Sequence, residues 1–267
     1  MAEQRQPLIT LLTDFGTTDY YVGAMKGAII SINPGVEIVD LTHQITAQDI
    51  YAGAFTLRCA YDTFPLWTIH VAVVDPGVGS ARRPILVMTD RYNFIGPDNG
   101  IFSYIYQTEN VNRVIHLSST HYYRQPVSNT FHGRDIFGPC AAWLAKGIEP
   151  SKMGEEIKDY TKFTLPQPRV NGTQVQGHVV HVDRFGNCIT NLTEREAPSA
   201  SLSRGLRMMV NNKPIAKFAT HFAGAAANEL FAYFGSSGFL EIAVPKGSAQ
   251  RLLEAQRGTE VMLSLVS

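Results

Sequence analysis

Short apolar runs alternate with helix-like patterns through the first third of the chain, and this alternation constrains the fold most strongly. The runs are typical of buried strands, because their apolar residues are consecutive. Between them, apolar residues recur at intervals of three and four, as on one face of a helix. Strands that alternate with helices predict a doubly wound, largely parallel α/β sheet. The predicted strands are 8–12, 36–40, 68–73 and 84–88, and the predicted helices are 19–32 and 49–64.

The pattern changes after a Pro-containing stretch at 163–168, which resembles a linker. Beyond it, short apolar runs separated by turn signals predict a second, mostly β domain that forms a small barrel. Asn211 and Asn212 predict a hairpin turn, and one helix is expected at 248–256. We therefore expect an N-terminal α/β domain at 1–165 and a C-terminal β-barrel domain at 172–267. The strands predicted in the second domain are 177–182, 206–210, 239–244 and 261–266.

The charge balance and the cysteines limit the partners of this chain. Its 23 basic and 23 acidic residues give a formal net charge of zero, which argues against nucleic acid or an anionic membrane as a partner. No apolar run approaches the ~20 residues that span a bilayer, and the first residues carry no signal-peptide core. The three cysteines lie far apart, and no residues have the spacing of metal ligands. We expect a reduced, cytoplasmic protein without a metal or a separate cofactor.

Two carboxylates follow predicted strands of the first domain. Asp14 comes just after the first strand, and Asp75 comes just after the strand at 68–73. The carboxyl ends of strands face the ligand crevice in open α/β sheets, and a carboxylate there can accept two hydrogen bonds from a vicinal diol. A turn built from Gly and Pro follows Asp75 and leads to Arg82 and Arg83. These residues are therefore candidates for binding and catalysis.

Each of these features also has a simpler interpretation. Asp14 or Thr17 could cap the following helix, which is a common use of such residues. Asp75 could form an ordinary surface ion pair with a nearby arginine, which would contribute little to stability. The glycines after Asp75 could hold a phosphate, although their spacing fits neither the Walker nor the dinucleotide motif.

Two further polar clusters lie later in the chain. His132 stands just before an apolar helix predicted at 136–144, where the local field can tune an imidazole, although a structural role is the alternative. Asp183, Phe185 and Asn187 follow a predicted strand, and together they could hold a zwitterion and an aromatic base. A hairpin turn is the alternative for this cluster. The small, polar segment at 235–238 suits a close approach of the backbone to a ligand.

Together and in this order, six segments resemble the S-adenosyl-L-methionine (SAM) hydroxide adenosyltransferase family, which is related to the fluorinases and chlorinases. The resemblance covers nearly the whole chain. It implies an N-terminal α/β domain and a C-terminal β-barrel, assembled as a homotrimer with active sites at the subunit interfaces. It also implies SAM as the substrate, which water or hydroxide attacks at ribose C5′ to release adenosine and methionine. The segments are LTDFG at 12–16, VDPGVG at 74–79, GPDNG at 96–100, FHGRD at 131–135, DRFGN at 183–187 and GSSG at 235–238.

The resemblance also implies a role for individual residues. The catalytic triad of the family falls on Asp75, Arg82 and His132. Arg82 is chosen over Arg83 because the Asp and Arg of the family are seven positions apart, as Asp75 and Arg82 are here. The halogenases lack this triad and carry an aromatic residue where Asp75 stands, so residue 75 favours hydroxide over halide as the nucleophile.

The substrate-binding residues carry over from the same resemblance. Asp14 matches the carboxylate that binds the ribose diol, and the other residues match contacts to the amino acid part or to adenine. Ser237, Tyr21 and Val244 depart from the fluorinase pattern, which has an arginine, a serine and another arginine there. The implied contacts to the methionine part are Asp19, Asp183, Ser236 and Ser237, and those to adenine are Phe185 and Asn187.

Three other functions remain open at this point. A SAM-dependent halogenase is the first, and Asp75 and His132 argue against it. A non-catalytic protein that binds SAM or adenosine is the second, although the complete triad argues against it. A methyltransferase is the third, and formation of adenosine without an acceptor would exclude it.

Overall fold

The structure is a computed structural model that describes residues 7–265. The chain divides into two compact units, Met1–Thr164 (unit 1) and Leu165–Ser267 (unit 2). The domain limits predicted from the sequence, 1–165 and 172–267, stay predictions. Their outer ends, residues 1–6 and 266–267, lie outside the described residues, as does the last residue of the strand predicted at 261–266.

Unit 1 is built around one sheet with the strand order β2-β1-β3-β5-β4-β6-β7. The pairs within β2-β1-β3-β5 are parallel, whereas β4 pairs antiparallel with β5 and β6. The parallel half confirms the predicted α/β class. In the described residues, the strands are β1 (Leu8–Thr13), β2 (Glu37–Thr42), β3 (Ile69–Val73), β4 (Pro84–Thr89), β5 (Asn93–Pro97), β6 (Val111–His116) and β7 (Glu155–Glu156). The helices are α1 (Tyr21–Ile32), α2 (Ile50–Ala60), α3 (Ile105–Thr108) and α4 (Gly138–Ala145).

Helices cover both faces of this sheet. Strand β3 sends Val71 and Val73 into a core cluster with residues of α1 and α4, and it sends Ala72 into a second cluster with residues of α2. Every residue of β3 is buried, which explains its continuous apolar run. Burial of each large apolar side chain contributes about 1.5–3 kcal/mol, so the central strands form a rigid base for the residues that follow them.

Unit 2 contains a sheet with the strand order β12-β11-β16-β9-β10-β15-β14-β13. Strand β8 lies outside this order and pairs with β9. The strands at the two ends of this order, β12 and β13, are separated only by Ala216 in the sequence. The ends of the sheet therefore come together, and the nearly closed sheet confirms the predicted barrel. In the part of the chain described, the strands are β8 (Arg169–Asn171), β9 (Gln174–Val182), β10 (Cys188–Thr193), β11 (Arg207–Val210), β12 (Lys213–Ile215), β13 (Lys217–Phe218), β14 (Phe231–Phe234), β15 (Phe239–Ala243) and β16 (Glu260–Ser264). The helices are α5 (Ser199–Arg204) and α6 (Ala249–Leu253).

Several local predictions are confirmed or corrected by these bounds. Asn211 and Asn212 have φ of 46° and 60° between β11 and β12, which confirms the hairpin turn. The helix predicted at 49–64 ends at Ala60 and continues as a single 3₁₀ turn. The helix predicted at 136–144 begins at Gly138, after a π-helical turn over Gly133–Phe137. Within residues 7–265, no helix has the length and apolar character needed to cross a membrane.

Candidate active site

Asp75 lies two residues beyond the end of β3, at the start of a tight turn. The turn brings Arg82 back beside it, so that Arg82 Nε donates to both carboxylate oxygens of Asp75, at 3.0 and 2.9 Å. Arg82 Nη2 donates to Asp75 Oδ2 as well. The side chains of Asp75 and Arg82 are only 5% and 9% exposed. The interpretation of this pair as an ordinary surface ion pair is therefore wrong.

His132 joins this pair through Arg82. Its Nδ1 lies 2.7 Å from Arg82 Nη2, and because a guanidinium nitrogen can only donate, Nδ1 is the acceptor. The neutral imidazole therefore carries its hydrogen on Nε2. Burial and then the Arg82 charge lower the pKa of His132 below its ordinary value of 6.5, although Asp75 and Asp135 act in the opposite direction. Asp75, Arg82 and His132 thus form one hydrogen-bonded chain, with Phe137 stacked 5.1 Å from the guanidinium.

His70 shows what a structural histidine looks like in the same unit. It is fully buried in β3, its Nδ1 lies 2.7 Å from Thr10 Oγ1, and its ring stacks 5.2 Å from that of Phe94. Burial lowers the pKa of His70 to about 3, so the ring stays neutral inside the core. His132 differs because it lines a cavity. The structural alternative therefore describes His70, whereas His132 stays a candidate site residue.

A cavity of about 430 Å³ in unit 1 brings together three of the predicted site residues, Asp14, Asp75 and His132. This volume is in the range of small-molecule sites. Arg82 is not among the described residues that line the cavity, but it donates to Asp75 and to His132, which do line it. Much of the remaining wall is aromatic, and it is formed by Phe15, Tyr20, Tyr21 and Phe131.

Asp14 follows β1 and faces the same cavity. Its Oδ2 accepts a hydrogen bond of 2.7 Å from the backbone N–H of Gln48. Helix α1 begins only at Tyr21, and its cap residue Tyr20 makes no side-chain capping bond. The capping role considered for Asp14 or Thr17 is therefore wrong. Asp19 is exposed and does not appear among the described residues that line the cavity.

The predicted binding residues of unit 2 lie on two turns. Between β9 and β10, Asp183 Oδ1 accepts from the backbone N–H groups of Phe185 and Asn187 at 2.9 and 2.8 Å. Its Oδ2 accepts from Asn187 Nδ2 at 2.8 Å, so Asp183 shapes this turn from within. Phe185 is 76% exposed and lines a cavity of about 490 Å³. The second turn, between β14 and β15, carries Ser236, which is exposed, and Ser237, which is half-buried.

Some residues of the unit 1 cavity were not singled out from the sequence. The FHGRD segment contributes Phe131 and Arg134 to the wall in addition to His132. Their position in the FHGRD motif was the available sequence signal. A motif does not distinguish residues that line a cavity from residues that only support the helix. Among residues 7–265, no group of three or more His, Cys, Asp or Glu side chains is arranged to hold a metal ion.

Comparisons with known proteins point to one family over nearly the whole chain. The family model described as the SAM hydroxide adenosyltransferase N-terminal domain matches residues 9–154, and the model of the C-terminal domain matches residues 177–262. The chain is 35% identical to the (R)-S-adenosyl-L-methionine hydrolase of Thermus thermophilus, over 96% of this chain and 98% of that protein. It is 34% identical to the protein of the same name in Methanocaldococcus jannaschii, over 95% and 94%. A fluorinase of an Actinoplanes species is 26% identical over 79% of this chain and 80% of that protein.

Two solved structures are also similar to this chain. An uncharacterized conserved protein from Thermotoga maritima superposes with a TM-score of 0.91 at 34% identity, over 96% of this chain and 99% of the other. A conserved hypothetical protein from Thermus thermophilus gives a TM-score of 0.78 at 32% identity, over 97% and 100%.

Proposed function

The chain belongs to the SAM hydroxide adenosyltransferase family, and on that premise we propose that it hydrolyses SAM to adenosine and L-methionine. The observation that carries this proposal is the hydrogen-bonded chain of Asp75, Arg82 and His132 beside the cavity that Asp14 also lines. The relatives at 34–35% identity are named (R)-SAM hydrolases, so we propose the epimer with R configuration at sulfur as the preferred substrate.

The reaction is a substitution at ribose C5′. A water oxygen forms a bond to C5′ while the bond between C5′ and sulfur breaks, and its electron pair stays on the sulfur of methionine. The leaving group is a neutral thioether, so no general acid is needed. The protein must hold the water in line with the breaking bond and accept one proton. Such positioning can lower a barrier by up to about 7–11 kcal/mol.

Asp75 is the proton acceptor in this proposal. Its carboxylate lines the cavity and keeps acceptor capacity beside its bonds from Arg82, because a carboxylate has about four lone-pair sites. The neutral His132 ring has a single acceptor, Nδ1, which already accepts from Arg82. The attacking water becomes strongly acidic as its oxygen bonds to carbon, so a carboxylate is a sufficient base. His132 orients the water by donating from Nε2. Arg82 is a positioning residue, because it donates to both of these side chains.

The charges of the cavity suit a sulfonium substrate. Asp14 and Asp75 contribute two carboxylates to the wall of this cavity. A sulfonium is a cation, and these carboxylates favour its binding over that of the neutral thioether that the reaction releases. The reaction converts the sulfonium into a neutral thioether, so a site that excludes bulk water does not oppose this loss of charge.

The remaining contacts follow the family resemblance. Asp14 binds the ribose diol through the carboxylate oxygen lone pairs that Gln48 leaves available. In unit 2, the exposed Phe185 ring and Asn187 bind adenine, and Asp183 holds the turn that presents them. Asp19, Asp183, Ser236 and Ser237 bind the methionine part. SAM is the substrate, and no further cofactor takes part.

We also propose a homotrimer whose active sites lie at the subunit interfaces, in the cytoplasm. The trimer and its interface sites follow from the family resemblance. None of the cysteines in the described residues forms a disulfide, which suits a reducing compartment.

Product analysis tests the proposed activity. The protein is incubated with SAM in the presence and absence of chloride or fluoride, and the products are separated by chromatography. We expect adenosine and methionine in equal amounts whatever the halide. Asp75→Asn should lower turnover at least about 100-fold and leave the affinity for adenosine nearly unchanged. Asp159→Asn, an exposed carboxylate that pairs with Arg83, is the matched control and should keep full activity.

Each alternative function predicts a different product. A halogenase would form a 5′-halogenated nucleoside that depends on the halide, and a methyltransferase would form S-adenosylhomocysteine only with an acceptor. A non-catalytic binding protein would bind SAM and release nothing. Any of these results contradicts the proposal.

A further inference from the structure

The guanidinium of Arg134 is held rigidly in the wall of the unit 1 cavity. Its Nε donates to Asp135 Oδ1 at 2.7 Å, and its Nη2 donates to Asp135 Oδ2 at 2.8 Å. One face of the group lies over the Phe131 ring, 5.0 Å from its centroid. The hydrogen bonds to Asp135 and the contact with the Phe131 ring leave the guanidinium little freedom to rotate. The side chain is nevertheless 25% exposed.

One edge of this guanidinium remains available. In the described part of the chain, the hydrogen bonds of Arg134 use Nε and Nη2 and do not use Nη1. Its partner Asp135 is fully buried, and it also accepts from the backbone N–H of Ser128 at 2.9 Å and from Arg124 at 3.3 Å. The charge of Asp135 is therefore balanced by a second arginine, and this ion pair does not by itself explain why Arg134 faces the cavity.

The charges around the cavity indicate what this edge binds. Among the described residues that line it, Arg134 alone has a permanently positive side chain, and Asp14 and Asp75 are negative. The proposed substrate carries two cations, the sulfonium and the ammonium, and a single anion, the α-carboxylate. A guanidinium is well suited to a carboxylate, because its N–H groups match the carboxylate oxygens in geometry and charge.

We propose that Arg134 binds the α-carboxylate of SAM and so makes the site selective for a substrate with an amino acid end. This assignment rests on the proposed function. Arg134 lies in the FHGRD segment two residues from His132, so the same segment contacts both the reacting water and the far end of the substrate. Because the carboxylate is remote from C5′, its loss should act mainly on KM.

The test compares SAM with decarboxylated SAM, which keeps the sulfonium and the amine and lacks only the carboxylate. The wild-type protein should prefer SAM by about 10- to 100-fold in kcat/KM, the effect of one charge-assisted contact. Arg134→Gln should lose this preference, through a raised KM for SAM with little change for the decarboxylated analogue. Arg134→Lys should keep part of the preference. Arg124→Gln is the matched control, because Arg124 also pairs with Asp135 but is not among the described cavity residues, and it should keep the preference.

Two results overturn the assignment. Equal losses on both substrates in Arg134→Gln mean that Arg134 only supports Asp135. A wild-type protein without preference excludes carboxylate binding whether or not any variant folds. If the wild-type protein releases adenosine from neither compound, the proposed function fails separately. Calorimetry with the same two ligands then tests the assignment alone, and equal affinities overturn it.

Discussion

Arg82 and Arg83 are neighbours in the sequence, but they serve different parts of unit 1. Arg82 joins Asp75 to His132, whereas Arg83 pairs with Asp98 at 2.7 Å and with Asp159 at 2.9 Å. Both residues lie between the turn after β3 and the start of β4 at Pro84, and their side chains bind separate partners. Only Arg82 therefore contacts Asp75 and His132.

A pair of matched substitutions tests this division. Arg82→Lys removes the forked contact to Asp75 and the bond to His132, because an ammonium cannot reproduce the planar geometry. We expect kcat to fall by at least about tenfold, since each lost positioning contact costs about 1.4 kcal/mol or more. Arg83→Lys should keep kcat and change the free energy of unfolding by no more than about 1 kcal/mol. Equal effects of both substitutions on kcat, measured with SAM, would contradict the role of Arg82.

The depressed pKa of His132 leads to a pH prediction. Burial and then Arg82 lower this pKa below 6.5, so the neutral ring that donates from Nε2 and accepts from Arg82 persists into mildly acidic solution. Protonation removes the acceptor at Nδ1 and breaks the link to Arg82. We therefore expect kcat/KM to stay level as the pH falls to 6.5 and to decline only below it. A pH profile whose acid limb lies above 6.5 is inconsistent with this arrangement.

At the scale of elements, the turn after β3 packs closely against the segment that leads to His132. Gly79 has φ of +79°, and a Cβ there would lie 2.3 Å from the carbonyl oxygen of Asn129, three residues before His132. Gly79→Ala should therefore displace that segment and lower kcat, in addition to the cost of the left-handed conformation. Gly147→Ala is the matched control, because Gly147 has φ of +86° with open space around it.

Measurements of stability and of activity together distinguish a backbone effect from an effect on the site. Both substitutions should lower the free energy of unfolding by about 1 kcal/mol through the backbone conformation alone. Only Gly79→Ala should also lower kcat, as measured with SAM at saturating concentration. A Gly79→Ala protein with wild-type kcat would show that the turn does not position His132.

The elements that the sequence predicted are those with a single clear pattern. The continuous apolar run of β3 reflects burial on both faces, and Asn211 and Asn212 mark a turn that few residues can adopt. Strand β5 was missed because it contains Gly96 and Pro97, which are typical of turns. Gly96 is there because a Cβ would lie 2.3 Å from the backbone oxygen of Ala72 in β3. This packing reason is not visible in the sequence.

For the candidate site, the sequence predicted which residues take part. Asp14 and Asp75 could be found because they follow strands. Arg82, Arg83 and His132 could be found as polar residues beside a turn and a predicted helix. The family resemblance then selected Arg82 over Arg83 and joined it to Asp75 and His132. The orientation of individual groups could not be predicted. The bond from Arg82 to Nδ1 of His132 and the available edge of Arg134 depend on which side of each group its neighbours occupy. Such information comes only from tertiary structure.

At the scale of the whole molecule, the proposed trimer makes a testable prediction. If each site combines unit 1 of one subunit with unit 2 of its neighbour, two inactive variants should complement each other. Asp75→Asn inactivates unit 1, and Phe185→Ala weakens the adenine contact of unit 2. In each trimer that contains both variants, one site of the three combines two intact halves, so about a third of the wild-type activity should return.

Coexpression of the two variants with different tags supplies the mixed oligomers, and each variant alone is the control. Sedimentation of the wild-type protein as a trimer should accompany the recovered activity. Mixed oligomers that remain as inactive as the separate variants would place each site within one subunit. A monomer in sedimentation would contradict the trimer itself.

The direct test of hydrolysis at C5′ follows the oxygen of water. The wild-type protein is incubated with each sulfonium epimer of SAM separately, in water enriched in ¹⁸O, and both products are analysed by mass spectrometry. We predict one ¹⁸O atom at the 5′-oxygen of adenosine, none in methionine, and faster release from the R epimer. Adenosine without the label, or label in the amino acid product instead, would show that water does not attack C5′.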